Sequence, residues 1–173
     1  MISPNAYSNL LLVIATITSA LMAGLFYAYS CSVNPGLGQL SDAGYISAMQ
    51  AINRAILNPV FLFPFLGTIL LLPLCAWLHY HGASTGGADG TLRTRFWLLV
   101  IASILYIIGV FGVTSFGNVP LNEVLAGVHV PSASVEELAG SRAVFERPWN
   151  QWHAVRTLAS VSTAVLMILA CLK

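Results

Sequence analysis

Apolar residues along the chain are concentrated in four long runs that polar segments separate. The runs cover residues 10–28, 59–78, 96–115 and 154–172. Each run has about 20 residues, the length that an α-helix needs to cross roughly 30 Å of bilayer hydrocarbon. The pattern predicts an all-α integral membrane protein, a four-helix bundle in which residues 1–173 form a single transmembrane domain.

The two longer connections between the runs carry signals for short helices outside the membrane. Ser134 followed by Glu137 has the pattern of a capping box. Asn118 can cap a helix that has Pro120 in its first turn. We expect short extramembrane helices in the first and third connections, over residues 45–57, 118–125 and 135–145.

Small residues in two of the runs predict places where helices pack closely. Ala20 and Gly24 form a small-xxx-small pair in the first run, and Gly109 and Gly112 flatten one face of the third. Backbones can approach each other closely where side chains are this small. We therefore expect both pairs to serve helix packing rather than chemistry.

The composition agrees with a membrane protein and excludes other classes. Of the 173 residues, 57% are hydrophobic and only 8% are charged, whereas a soluble domain carries about 25% charged residues. The formal net charge is +1, without a basic run, so the expected partner is the lipid bilayer and not nucleic acid. The cysteines, Cys31, Cys75 and Cys171, lack the spacing of a disulfide framework or a metal site.

Basic residues near the ends of the runs predict an orientation. Arg93 and Arg95 lie in the short second connection and Lys173 follows the last run, and such residues are enriched in cytoplasmic segments. The arginines that oppose this orientation are Arg54, Arg142, Arg147 and Arg156. Two of them lie in a long connection, whose charges count less. We expect both termini to lie in the cytoplasm.

Polar residues continue from the third connection into the fourth run along one helical face. The residues of this face are Trp149, His153, Arg156, Ser160, Thr163 and Met167. Arg156 lies just inside the apolar run, where a cation that faces lipid costs several kcal/mol. Two interpretations stay open: Arg156 extends to the headgroups as an anchor, or it lines a polar pocket inside the bundle.

Three further side chains at this end of the bundle are candidates for catalysis. His153 can act as a base because its ordinary pKa is near 6.5, or it can be structural. Asn118 and Asn122 can hold an oxyanion through their amides, or they can be ordinary helix caps. With Arg156 they make up the predicted catalytic set.

Aromatic and polar residues at the same depth are candidates for binding a substrate. Trp149, Trp152 and Tyr27 are either interface anchors or stacking surfaces for a planar aromatic compound. A polar stripe that leads to the second run completes the predicted binding set with Gln50, Asn53, Arg54 and Asn58. The histidines do not share a depth and spacing suited to ligands, so no metal and no cofactor is predicted.

Four motifs give the chain a resemblance to the small four-helix membrane proteins of the anthrone oxygenase-like family. The motifs are Gly24-x-Phe26-Tyr27 with Asn34-Pro35, Gln50-x-x-Asn53 with Asn58-Pro59, Asn118-Val119-Pro120-Leu121-Asn122, and Trp149-x-x-Trp152-His153-x-x-Arg156-Thr157. The resemblance covers nearly the whole chain. We expect this protein to lie in the bacterial inner membrane. Most bacterial members of the family have no assigned role.

The resemblance implies an activity that the residue pattern alone does not. Members of polyketide pathways are associated with the oxidation of an anthrone to an anthraquinone by dioxygen, without a metal or flavin. The family implies Asn118, Asn122 and Arg156 as site residues. The position of His153 can also be asparagine in the family, so a histidine base is not a general requirement.

Two functions therefore remain open at the level of sequence. The first is a cofactor-independent oxygenase for an apolar, planar, anthrone-like or phenol-like small molecule. The second is a non-catalytic membrane scaffold, or a subunit of a larger complex that binds a small molecule. Homo-oligomerisation is compatible with both functions.

The orientation can be tested by cysteine labelling in a variant that lacks the three native cysteines. In intact cells, a thiol reagent that does not cross membranes should label a cysteine placed at Ala133 and spare one placed at Gly86. The opposite pattern of labelling would mean that both termini lie outside.

Overall fold

The computed structural model describes residues 4–85 and 90–173, and the side chains of residues 7–80 and 90–173. These residues form α-helices joined by shorter π-helical stretches, without a β-strand in the described part of the chain. The α-helices are α1 (Pro4–Ala28), α2 (Asn34–Leu37), α3 (Asp42–Ala55), α4 (Pro59–Thr85), α5 (Gly90–Ile104), α6 (Val119–Ala126) and α7 (Val135–Cys171). The π-helical stretches are Tyr29–Val33, Leu105–Gly112 and Thr114–Asn118.

Four helical segments are long and apolar enough to cross a membrane. They are Tyr7–Leu37, Pro59–Tyr80, Gly90–Ala126 and Val135–Cys171. Large apolar side chains such as Val60 and Phe63 are 85% and 79% exposed on the outside of the bundle, as lipid-facing side chains are. The protein is thus an integral membrane four-helix bundle, and the predicted fold class is confirmed.

The bundle core lies where α1, α4, α5 and α7 meet. Leu72, Leu99, Tyr106 and Met167 are fully buried in it. The Tyr106 hydroxyl donates a hydrogen bond of 3.1 Å to the carbonyl of Phe65. A second, smaller core holds α3, α6 and the first half of α7 together beyond one end of the bundle.

Helix α7 is a single helix of 37 residues, whereas the sequence pattern predicted two separate helices over 135–145 and 154–172. The capping box of Ser134 and Glu137 is present, so the predicted start is confirmed. Pro148 lies inside the helix. It removes one backbone donor, yet packing on both sides of it keeps the helix continuous. The correction places His153 in the middle of a helix rather than before its first turn.

The third span also continues beyond its predicted end at residue 115. It runs through the two π-helical stretches into α6, so Asn118 has helical backbone angles. A cap requires a non-helical backbone, and the Asn118 side chain accordingly makes no capping bond. The predicted cap at Asn118 is therefore wrong, although the helical segment after it is present.

Local caps set the ends of the helices in the first connection. Ser41 accepts a hydrogen bond from the Gly44 amide, so α3 begins at Asp42 and not at residue 45. Asn58 accepts a bond from the Phe61 amide at the start of α4. Both are side chains that typically cap helices.

Arg142 on α7 fixes the segment between α2 and α3. It pairs with Asp42 at 3.0 Å and with Glu146 at 2.7 Å, and donates to the carbonyls of Gly38 and Leu40. Its guanidinium also covers the ring of Tyr45. Burial, followed by the charge of Glu146, raises the pKa of the Tyr45 hydroxyl.

Only one of the two predicted small-residue pairs marks a close helix approach in the described structure. A Cβ atom on Gly109 would lie 2.6 Å from the Cβ of Ala159 on α7. Ala20 and Gly24 are exposed, and a Cβ on Gly24 would meet nothing within 4 Å. The expected packing role of the Ala20 and Gly24 pair is therefore wrong within the monomer.

We expect Gly109→Ala to destabilise the protein by about 1–3 kcal/mol, because the third span and α7 would have to move apart. Gly24→Ala, in open space, should be neutral. Thermal unfolding of both variants in detergent micelles checks this expectation. Equal melting temperatures for the two variants would show that the contact between Gly109 and Ala159 is not tight.

Candidate functional site

A cluster of polar and aromatic side chains lies at the end of the bundle where α1 passes into its π-helical turn. We call it the Arg156 cluster; its members are Phe26, Tyr29, Ser30, Asn118, Asn122, Trp149, His153, Arg156 and Thr157. The π-helical stretch after α1 brings Ser30 toward α7, and the one before α6 supplies Asn118. Short π-helical stretches within α-helices recur at functional sites.

Arg156 is the charged centre of the cluster and is only 8% exposed. Its guanidinium carbon lies 4.6 Å from the ring centroid of Phe26 and 5.0 Å from that of Trp149. The Nε–H donates a 3.1 Å hydrogen bond to Nδ1 of His153. Among the described side chains, no carboxylate lies within ion-pair distance of Arg156. Within the described chain, this positive charge is stabilised by the ring faces of Phe26 and Trp149 and by the imidazole of His153.

The hydrogen bonds around His153 determine where its proton resides. Thr157 donates its hydroxyl proton to the backbone carbonyl of His153 at 2.8 Å, so it can only accept from Ser30 at 3.2 Å. Ser30 thus donates its hydroxyl proton to Thr157 and accepts a hydrogen bond from Nε2–H of His153 at 2.9 Å. The imidazole is neutral, with its proton on Nε2 and its Nδ1 lone pair directed at Arg156.

Trp149 forms the wall behind this network. Its ring stacks on His153 at a centroid distance of 5.1 Å and an angle of 11°. The indole Nε1–H donates to Oδ1 of Asn122 at 2.8 Å. The backbone carbonyl of Trp149 accepts a hydrogen bond from Nδ2 of Asn118 at 3.1 Å. The two asparagines therefore hold Trp149, and through it the imidazole, in place.

Asn118 retains one unused polar atom. The residue is 1% exposed, and its Oδ1 makes no hydrogen bond to the described protein. A buried carbonyl oxygen without a donor costs about 1–3 kcal/mol. This atom is therefore an acceptor available to a ligand or to water.

Several residues of the predicted binding set lie away from the cluster. Trp152 is 44% exposed and packs on Gly117, where a Cβ would lie 2.7 Å from the indole. Tyr27 is 61% exposed on the side of α1 that faces away from the bundle. Neighbouring helical residues point about 100° apart, so Phe26 and His153 face the cluster where the residues next to them, Tyr27 and Trp152, do not.

The polar stripe before the second span also has other partners. Gln50 donates to the carbonyls of Leu125 and Val128 at the end of α6, and Asn58 caps α4. Arg54 is exposed, and Nδ2 of Asn53 is buried without a partner in the described chain. The structure thus brings His153, Arg156, Asn118, Asn122 and Trp149 together, but not the stripe.

Sequence reasoning missed Ser30 as a member of the cluster. Ser30 follows Phe26 by four residues, so the two share a helical face, and this spacing is the signal that was available. Tyr29 lies against both His153 and Trp149, with ring centroids 5.5 and 5.8 Å apart. No sequence signal indicates these contacts, because they depend on how α1 meets α7.

The described residues contain no group of three or more His, Cys, Asp or Glu side chains placed to hold a metal. His79, the other buried histidine of the described chain, lies near the far end of α4 and bonds to the carbonyl of Cys75. The prediction that no cofactor is bound stays a prediction.

The fold and the cluster define a small polytopic membrane protein with a buried cationic site at one end of its helical bundle. A family model described as anthrone oxygenase matches residues 61–166, and the chain belongs to this family. The match includes the cluster residues from Asn118 to Thr157 but not Phe26, Tyr29 and Ser30, and it supports an oxygenase-like role. No curated protein and no solved structure matches the chain.

We expect Ser30→Ala to lower the free energy of unfolding by about 1 kcal/mol, because Nε2–H of His153 loses its acceptor at 2.9 Å. Ser32→Ala is the matched control, since Ser32 is exposed on the same turn. Chemical unfolding in micelles gives both values. Equal stability of the two variants would contradict a stabilising hydrogen bond between Ser30 and His153.

Proposed function

We propose that the protein is a membrane-embedded oxygenase that oxidises an apolar, planar, anthrone-like or phenol-like compound with dioxygen, without a metal or flavin. The observation that carries this proposal is the buried Arg156 without a carboxylate partner in the described chain. Burying an unpaired charge costs several kcal/mol. A planar anion that enters the cluster would neutralise the charge, and membership of the anthrone oxygenase family supports an enolate as that anion.

The groups around Arg156 suit such a ligand. Its Nε bonds to His153, while the two terminal nitrogens have no hydrogen bond to the described protein. These terminal nitrogens can hold an enolate oxygen, the kind of stabilisation that contributes about 3 kcal/mol per donor. Phe26, Trp149 and Tyr29 offer ring surfaces to the substrate.

The proposed reaction needs no oxidant besides dioxygen. Loss of a proton from the methylene of an anthrone gives a carbanion whose charge spreads to the ketone oxygen as an enolate. Transfer of an electron to dioxygen, radical recombination and protonation give a hydroperoxide at that carbon. Loss of water then leaves a second ketone, so one oxygen atom ends in the quinone and the other in water.

His153 is the proposed base, and its hydrogen bonds restrict when it can act. In the structure without substrate, its Nδ1 lone pair accepts the bond from Arg156. When Arg156 turns toward the ketone oxygen of the substrate, this bond is released and Nδ1 becomes free to take the methylene proton. Binding of the substrate oxygen and activation of the base are thus coupled, and the proton transfer contributes about 10²- to 10⁴-fold.

A scaffold is the second candidate function. It is favoured by the hydrogen bonds that join Ser30, His153 and Thr157 and by the bond from Trp149 to Asn122. Such bonds lock neighbouring membrane helices in register. In a scaffold, Arg156 would be one more residue that holds the helices in register, and it would bind no small molecule.

Replacement of Arg156 distinguishes the two functions. Arg156→Lys keeps the charge but loses the planar fork, so turnover of an anthrone should fall about a hundredfold, far more than stability does. Arg147→Lys is the matched control, because Arg147 is exposed on the same helix. Oxygen consumption is measured at equal levels of folded protein, with protein-free micelles as the reference for uncatalysed autoxidation.

Full turnover by Arg156→Lys would remove Arg156 from the reaction. If the wild-type protein oxidised a series of anthrones and phenols no faster than protein-free micelles do, the scaffold would become the better explanation.

A further inference from the structure

A largely apolar cavity of about 660 Å³ lies beyond the cluster, between α6, the connection to α7 and the first turns of α7. Leu121, Val124 and Leu125 of α6 form one wall, and Val144 and Phe145 of α7 form another. A volume of this size is within the range of pockets that take up small organic molecules.

The position of the cavity along α7 places it outside the hydrocarbon of the bilayer. Residues 154–171 already span about 27 Å at 1.5 Å per residue, which is close to the thickness of the hydrocarbon. Phe145 therefore lies roughly 14 Å beyond that layer, and Glu137 roughly 25 Å beyond it. An apolar surface at this level is not explained by contact with lipid chains, and such surfaces typically serve binding.

Polar groups border one side of the cavity. His129 and Ser132 lie there and are joined by a hydrogen bond of 2.8 Å between Nδ1 and Oγ. The other polar side chains of the described lining are those of Glu137 and Ser141. The Nε2 atom of His129 has no partner in the described parts of the chain, and this side chain is exposed. The cavity thus offers a large apolar surface and one imidazole that can bond to a hydroxyl or carbonyl group of a ligand.

Aromatic rings connect the cavity to the Arg156 cluster. Phe145 lines the cavity and stacks on Trp149 at 6.1 Å and 29°. Trp149 in turn stacks on His153 and lies 5.0 Å from the guanidinium of Arg156. Leu121 lines the cavity next to Asn122, which holds the Trp149 indole. The stacked rings of Phe145 and Trp149 therefore join the wall of the cavity to the wall of the cluster.

We propose that this cavity is a second binding site, which takes up a planar aromatic compound bearing a hydroxyl or carbonyl group before that compound reaches the Arg156 cluster. In identifying the compound as the substrate, this inference rests on the proposed function. The cavity would keep a poorly soluble compound in contact with the protein at the membrane surface, with its rings on the apolar walls and its oxygen at His129.

The test measures binding of 1,8-dihydroxyanthraquinone, a compound at the oxidation level of the product, to the full chain in lipid nanodiscs. Empty nanodiscs correct for partition into lipid. Val144→Trp fills the cavity with an indole and should weaken binding about tenfold or more. Val135→Trp is the matched control, because Val135 is 75% exposed on the same helix and does not line the cavity.

The polar side of the cavity is tested with a second pair of measurements. His129→Leu should weaken binding of the dihydroxy compound about fivefold, the effect of one lost hydrogen bond. Binding of anthracene, which has the same three fused rings but no oxygen, should not change in His129→Leu. An equal loss for both compounds would overturn the assignment of His129 as the oxygen-binding group.

Unchanged binding in Val144→Trp would overturn the cavity as a ligand site. A change of oligomeric mass in Val144→Trp with unchanged binding would overturn it as well, and would show that a second copy of the chain covers this face. Oxygen uptake separates the two proposals. If the wild type consumes oxygen but Val144→Trp leaves binding unchanged, only the proposed cavity site is contradicted. If Val144→Trp weakens binding but the wild type consumes no oxygen, the cavity site is supported and the oxygenase is contradicted.

Discussion

A guanidinium held between two aromatic rings governs the organisation of one end of this bundle. Arg156 lies where water is scarce, so its contacts have to replace the hydration that it loses. Phe26 of α1 and Trp149 and His153 of α7 supply those contacts. Because the rings come from different helices, the meeting of α1 and α7 and the stabilisation of the charge depend on each other.

The other polar groups of the cluster keep these contacts in place. Ser30 and Thr157 fix the imidazole so that Nδ1 faces Arg156, and Asn122 fixes the indole. In the described chain Arg156 has no carboxylate partner, and Oδ1 of Asn118 accepts no hydrogen bond. These are the two groups that the proposed substrate would contact.

The sequence predicted much of this fold because hydrophobic runs and helix caps are local features. The four spans and the capping box at Ser134 are confirmed. The continuous α7 through Pro148 and the helical backbone at Asn118 were not predicted, since tertiary packing overrides the local preference of those residues. For the same reason Trp152 and Tyr27 were grouped with the cluster although the structure has them exposed, and Ser30 was missed.

The availability of the Arg156 charge to a planar anion is tested most directly by comparing two ligands of the same shape. Anthracene-9-carboxylate is negatively charged at neutral pH, and anthracene-9-carboxamide is not. With the outer cavity filled by Val144→Trp, we expect the carboxylate to bind about tenfold more tightly than the carboxamide, and this preference to disappear on Arg156→Gln. Equal affinities before that substitution, or a preference that survives it, would contradict an anion-binding role for Arg156.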